Sequence, residues 1–154
     1  MTVSPSVSAG AISPARRTVR LLVVVGALVY LAGLVWLAVH LPTWSDEEYT
    51  MHTTGAGVGQ AFHRALTFEL QPPLYFVAVA AWRHFGDSVA WVRGFSILCV
   101  LPLPFVLAAI SRSVSPRIAR AAAVGLTMLH PFVIWSAVEA RGYALDLLVG
   151  SLLV

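Results

Sequence analysis

Residues Leu21–Leu41 form a run with no acidic side chain and no arginine. The hydrocarbon core of a bilayer accepts about 20 apolar residues as a helix. No other backbone form crosses lipid except a closed barrel. The run therefore reads as a membrane span. Arg16, Arg17 and Arg20 precede it and mark its cytoplasmic end. A secretory signal peptide, with the paired arginines as a twin-arginine signal, is the competing reading. Two features weigh against it: the run exceeds the roughly 7–15 residues of a signal core, and no small-x-small site follows His40-Leu41-Pro42. The expectation is an uncleaved first span behind a disordered cytoplasmic tail over 1–19, rich in Ser, Pro and Ala.

Composition extends this to the whole chain. Of its 154 residues 58% are apolar and 11% charged, against roughly 45–50% and about 25% in soluble domains. A water-soluble globule of this size has nowhere to hide that surface. Cys99 is the single cysteine, so a disulfide scaffold is excluded. The net charge is +3 and every basic residue is arginine. These arginines are scattered between apolar segments, not gathered on one polar face, so nucleic acid is not an expected partner.

Further apolar runs cover Ala90–Ile110 and Ala121–Ala137, and another starts at Tyr143 and is still apolar at Val154. The Ser111–Arg120 loop carries Arg112, Arg117 and Arg120 without an acid, which places it in the cytoplasm. Parity then requires that Pro72–Phe85 not cross. It is short for a span and opens with two prolines, so it reads as a helix on the outer membrane surface, with a tilted short span as the alternative. The expected fold class is an all-α integral membrane protein in the plasma membrane, with a cytoplasmic N-terminus. One membrane domain, 20–154, carries about four spans (21–41, 90–110, 121–137 and a truncated 143–154) and an outer loop, 42–88. Pro102 and Pro104 kink the second span, and Val138–Gly142 is a short outer loop.

Six acids fall on or near the outer side: Asp46, Glu47, Glu48, Glu69, Asp87 and Glu139. Three are consecutive in Trp44-Ser45-Asp46-Glu47-Glu48-Tyr49. Ser45 or Asp46 as a helix N-cap explains them, since acids favour the positive end of a helix. A catalytic carboxylate at the same helix start is compatible with that. Gly55-Ala56-Gly57-Val58-Gly59 lacks a preceding strand and the glycine spacing of a phosphate loop, and reads as a flexible joint. The next segment, Gln60–Glu69, sets Phe62, Leu66 and Leu70 on one stripe of a short amphipathic helix facing the membrane. His52 and His63 do not have a paired metal-ligand spacing, and no metal is expected. Glu139 and Arg141 read as a neutral pair ending the third span. Asp146 is expected to turn toward Arg141 or Arg93. For Arg93 itself, snorkelling to the headgroups competes with anchoring a lipid phosphate.

In chain order the chain shows Asp46-Glu47-Glu48-Tyr49, Gln71-Pro72-Pro73-Leu74-Tyr75-Phe76, Gly86-Asp87-Ser88 with Arg93 and Ser96, and Ser136-Ala137-Val138-Glu139-Ala140-Arg141-Gly142-Tyr143. The order, over Leu21–Tyr143, resembles the N-terminal part of glycosyltransferase family 39, which holds protein O-mannosyltransferases, lipid A aminoarabinose transferases and bacterial relatives of the GT-C fold. The resemblance implies a GT-C-like polytopic helical bundle, of which this chain is an N-terminal fragment. It also implies transfer of a sugar from a polyprenyl-phosphate-linked donor to a hydroxyl of a lipid, glycan or protein acceptor at the extracytoplasmic face, with no cofactor. Asp46 takes the place of the family's catalytic acid, with Glu47 beside it.

Some relatives carry basic residues just before the proline segment and just after the acidic pair. Here those places hold Gln71 and Glu48-Tyr49. The expectation shifts donor-phosphate binding to Arg93, Arg141 and Arg64, with Glu139, Tyr143 and Gln71 in support. The rival is a non-catalytic small polytopic membrane protein, either an assembly partner or a transporter subunit. Under it the acids only cap a helix and Arg141 is a packing charge.

Overall fold

A computed structural model describes residues 14–112 and 116–154, and there it is helical throughout, with no strand. The α-helices are α1 (Pro14–His40), α2 (Ser45–Thr54), α3 (Val58–Arg64), α4 (Pro73–Trp82), α5 (Val89–Val100), α6 (Leu103–Ile110), α7 (Arg117–Met128), α8 (Pro131–Val138) and α9 (Tyr143–Leu152). A π-helical turn, Ala65–Glu69, follows α3, and a 3₁₀ turn, Arg83–Phe85, follows α4. The chain divides into two compact units, Met1–Gly33 and Leu34–Val154. Most of α1 makes up the described part of the first. The second carries everything that follows.

Among the described residues, two helical stretches are long and apolar enough to cross a membrane, Arg16–His40 and Val89–Ile110. A third candidate is Arg117–Met128 with Pro131–Val138, bent by 51°. Tyr143–Leu152 is apolar but short. The first and third differ from the sequence expectation in defined ways. Helix begins at Pro14, inside the stretch expected to be a tail, while residues 1–13 lie outside the described ones. The second stretch agrees with the expectation: the helix breaks at Leu101–Pro102, between α5 and α6, where Pro102 and Pro104 were expected to kink it. The third was expected as one continuous helix. Pro131 instead starts a new one, and the His130 ring caps it by accepting from the Phe132 N–H at 3.2 Å.

Within the second unit α3 packs on α4, α2 on both, α5 on α8 and α9, and α6 on α7 and α9. Ala61 and Ala65 are fully buried and let α3 approach α4 closely, against Tyr75, Phe76, Val79 and Ala80. The stripe of Phe62, Leu66 and Leu70 is on the opposite, exposed side, as an outward-facing stripe must be. The helical path ends at Leu70, which takes a left-handed conformation (φ 54°) before the two prolines.

At the far end of α4, Trp82 and Trp91 stack with centroids 4.7 Å apart and planes within 8°. Each indole N–H donates to the other residue's carbonyl, at 2.9 and 3.2 Å. Gly86 closes the turn between them, and a Cβ there would stand 2.8 Å from the Trp91 ring. We expect Gly86→Ala to cost about 1–3 kcal/mol, read as a lower unfolding midpoint in detergent. Gly59→Ala, which meets open space, leaves the midpoint near that of the parent.

Candidate functional site

The site grows from the three consecutive acids, which the start of α2 aims in different directions. The N-cap is Trp44, not Ser45 or Asp46 as expected. Its N–H donates to Glu47 Oε2 at 3.0 Å, so the third helical residue reaches back over the helix start. That bond turns Glu47 inward, where it is fully buried. Asp46, one residue earlier, points away from the core and its side chain stays 53% exposed.

Glu47 meets Arg93 of α5 in a bidentate pair, Nε to Oε1 at 2.8 Å and Nη2 to Oε2 at 2.6 Å. The remaining Arg93 donors go to the carbonyls of Ala38 and Leu41 (Nη1) and of Pro42 (Nη2), at 2.8–2.9 Å. A guanidinium has five N–H donors, and all five are taken. Glu47 Oε1 also accepts from the backbone N–H of Ala140 at 2.8 Å. Burial alone would raise the Glu47 pKa. The hydrogen bonds from Arg93, Ala140 and Trp44 outweigh it and hold the carboxyl below its ordinary range. One buried pair thus joins the end of α1, the start of α2, the first turns of α5 and the loop after α8.

This arrangement revises two sequence expectations. Arg93 neither snorkels nor has an N–H left for a phosphate. Both Glu47 oxygens are held by hydrogen bonds within the protein, each by two donors.

Arg141 is the arginine that reaches Asp46. Its Nη1 donates to Glu69 Oε2 at 3.2 Å and to the Asp46 carbonyl at 3.4 Å, and Nη2 lies 3.8 Å from Asp46 Oδ2. Glu69 is held in turn by the Thr53 hydroxyl at 2.7 Å. Arg141 therefore pairs with Asp46 and Glu69, not with Glu139 as expected. Glu139 is 5% exposed, and its Oε2 is buried with no hydrogen-bond partner among the described residues. It follows the last residue of α8 and lies outside the candidate spans. Burial, reinforced by the charges of Glu47 and Asp46 against the pull of Arg141 and Arg93, pushes its pKa up to about 7.

Trp44, Ser45, Asp46, Trp135 and Glu139 line one cleft of about 290 Å³. Two indoles and two carboxyl groups are thus brought together from opposite ends of the sequence. Trp135 stacks on Tyr143 (centroids 5.1 Å apart), which gives the expected supporting tyrosine a place behind the cleft wall. Gln71 lies elsewhere, in a second cleft of about 220 Å³ with Tyr75, Gly142 and Asp146. Asp146 forms no ion pair with Arg93 or Arg141 among the described residues. Arg64 donates to the His52 carbonyl at 2.7 Å and forms no ion pair with Asp46 among the described residues. No group of three or more His, Cys, Asp or Glu side chains suited to a metal ion occurs among the described residues. Sequence reasoning passed over Trp44 and Trp135 as site residues. The available signal was an indole directly beside each acidic segment.

No family model, curated protein or solved structure matches the chain.

A buried ion pair that loses one partner leaves an uncompensated charge, at a cost of about 3–5 kcal/mol. We expect Glu47→Gln to lower stability by that order, seen as a drop in unfolding midpoint and in membrane yield. Asp46→Asn, at an exposed carboxylate, stays close to the parent in the same measurement.

Proposed function

We propose that the chain is part of a membrane glycosyltransferase that moves a sugar from a polyprenyl-phosphate-linked donor to an acceptor hydroxyl at the extracytoplasmic face. Asp46 is the general base, and Arg141 supplies positive charge to the donor phosphate. One observation carries this reading. Of the two acids the resemblance singles out, one is locked in a buried pair and the other is left exposed in a cleft, beside an arginine and between two tryptophans. Indole faces suit the apolar faces of a sugar ring, and a carboxylate suits its hydroxyls.

The proposed topology draws support from connectivity. Arg93 at the start of α5 bonds to the carbonyls that end α1, and Glu47 bonds to the loop that follows α8. Contact among these three chain segments supports a reading in which they share one side of the membrane. That agrees with α1, α5–α6 and α7–α8 as successive crossings and with α4 as a helix that does not cross. It also agrees with six arginines, 16, 17, 20, 112, 117 and 120, on the cytoplasmic side. A crossing by α4 would put the start of α5 opposite the end of α1.

In the transfer, the acceptor oxygen attacks the anomeric carbon as Asp46 takes its proton. The bond to the lipid phosphate breaks, and the leaving phosphate carries the electron pair toward Arg141. The reaction inverts the anomeric centre.

The substitution Asp46→Asn separates this reading from a purely structural role at the start of α2, because asparagine keeps the size of aspartate but takes no proton. In membranes containing the full-length protein and a radiolabelled polyprenyl-phosphate sugar, we expect turnover to fall by about 10²–10⁴ at unchanged protein level. Undiminished transfer would remove Asp46 from the chemistry and favour the non-catalytic reading.

A further inference from the structure

The mechanism above leaves one group in the cleft unused. Glu139 lines the cleft together with Asp46, and one of its carboxyl oxygens, Oε2, is buried with no hydrogen-bond partner among the described residues. A buried polar atom without a partner is destabilising, and more so if it is charged. A carboxylate here would also face two others. From α2 come Glu47, already paired, and Asp46. The positive groups in range are Arg141 from the same loop and Arg93 from α5. Neither bonds to Glu139 among the described residues: Arg93 is taken up by Glu47 and three carbonyls, and the hydrogen bonds of Arg141 go to Glu69 and the Asp46 carbonyl. Glu139 thus has negative neighbours and no arginine of its own.

We propose that Glu139 keeps its proton in the working protein and donates it as a hydrogen bond to an oxygen of the sugar phosphate bound in the cleft. The proposal rests on the transferase reading and deepens it. An anionic donor must enter a cleft that already holds the Asp46 carboxylate. A second carboxylate would repel it, whereas a carboxylic acid greets it with an O–H. Glu139 then discriminates for a substrate that presents an acceptor oxygen beside Asp46, and Asp46 remains free to act as base. No proton needs to leave Glu139 during the reaction.

The sign of the pH dependence follows. A sugar linked through a phosphodiester does not titrate near neutrality, so a change in its binding between pH 6 and pH 8.5 reports on the protein. With the Glu139 carboxyl near pH 7 and only the acid form competent, affinity falls as pH rises, by about 30-fold over that interval. Glutamine keeps the shape and an N–H donor but cannot lose a proton.

The experiment uses the full-length protein in nanodiscs of neutral lipid, with a radiolabelled polyprenyl-phosphate hexose as the probe. Binding is measured at pH 6 and 8.5, and the infrared stretch of protonated carboxyl groups is followed over the same range. The expected result is a wild type that loses affinity as pH rises and a protonated-carboxyl band that disappears in step. Glu139→Gln should lack that band and bind at both pH values with an affinity near that of the wild type at pH 6. Glu139→Ala binds weakly at both. A wild type with pH-independent binding, or a Glu139→Gln variant that loses affinity in parallel with it, overturns the inference and leaves the transferase reading standing. Absence of probe binding in every protein at both pH values overturns the transferase reading, and the inference with it.

Discussion

The buried pair between Glu47 and Arg93 is the contact on which the rest of the site depends. Its value lies less in net stability, since burying two charges costs nearly what their attraction returns, than in what each charge must then recruit. Arg93 needs five acceptors and finds three of them at the end of α1. Glu47 needs donors and takes one from the loop after α8. Satisfying the pair therefore fixes where four separate chain segments meet. A misplacement of any of them leaves a buried charge exposed to no compensating group.

That constraint has a functional consequence one residue away. With Glu47 held inward, the turn of α2 presents Asp46 outward, toward Arg141, Trp44 and Trp135. The polar face of α2 behind it, Thr50, Thr53 and Thr54, is fully or almost fully buried and hydrogen-bonded. The helix therefore has little freedom to rotate. The carboxylate that the proposed chemistry uses is thereby fixed by groups that take no part in it, as precise positioning of a reacting group requires.

Much of the fold was legible from the sequence, because long apolar runs and prolines act locally. Leu21–His40 and, apart from the break at Leu101–Pro102, Ala90–Ile110 are helical where expected, and Pro73 opens α4 as its position implied. The bend at Pro131 was open to the same reasoning, but the continuous apolarity of Ala121–Ala137 masked it. The site was only half legible. Asp46, Glu139 and Arg141 stand out as charges beside apolar segments. Their partners do not, since the choice between Glu139, Glu69 and Asp46 for Arg141 is made by tertiary packing. For the same reason Arg93 looked like a phosphate anchor. Its five acceptors are mostly backbone carbonyls, which carry no sequence signature.

The central claim is that Glu47 and Arg93 act as one unit. A double-mutant cycle with Glu47→Gln and Arg93→Met, read by reversible unfolding of the protein in detergent, measures this directly. Each single change leaves the other charge buried and alone, whereas the double change leaves none. The account predicts a double variant less destabilised than the sum of the singles by about 2 kcal/mol or more, within the range seen for directly contacting groups. Additive losses would mean that the two side chains are independent and that the site is assembled by something else.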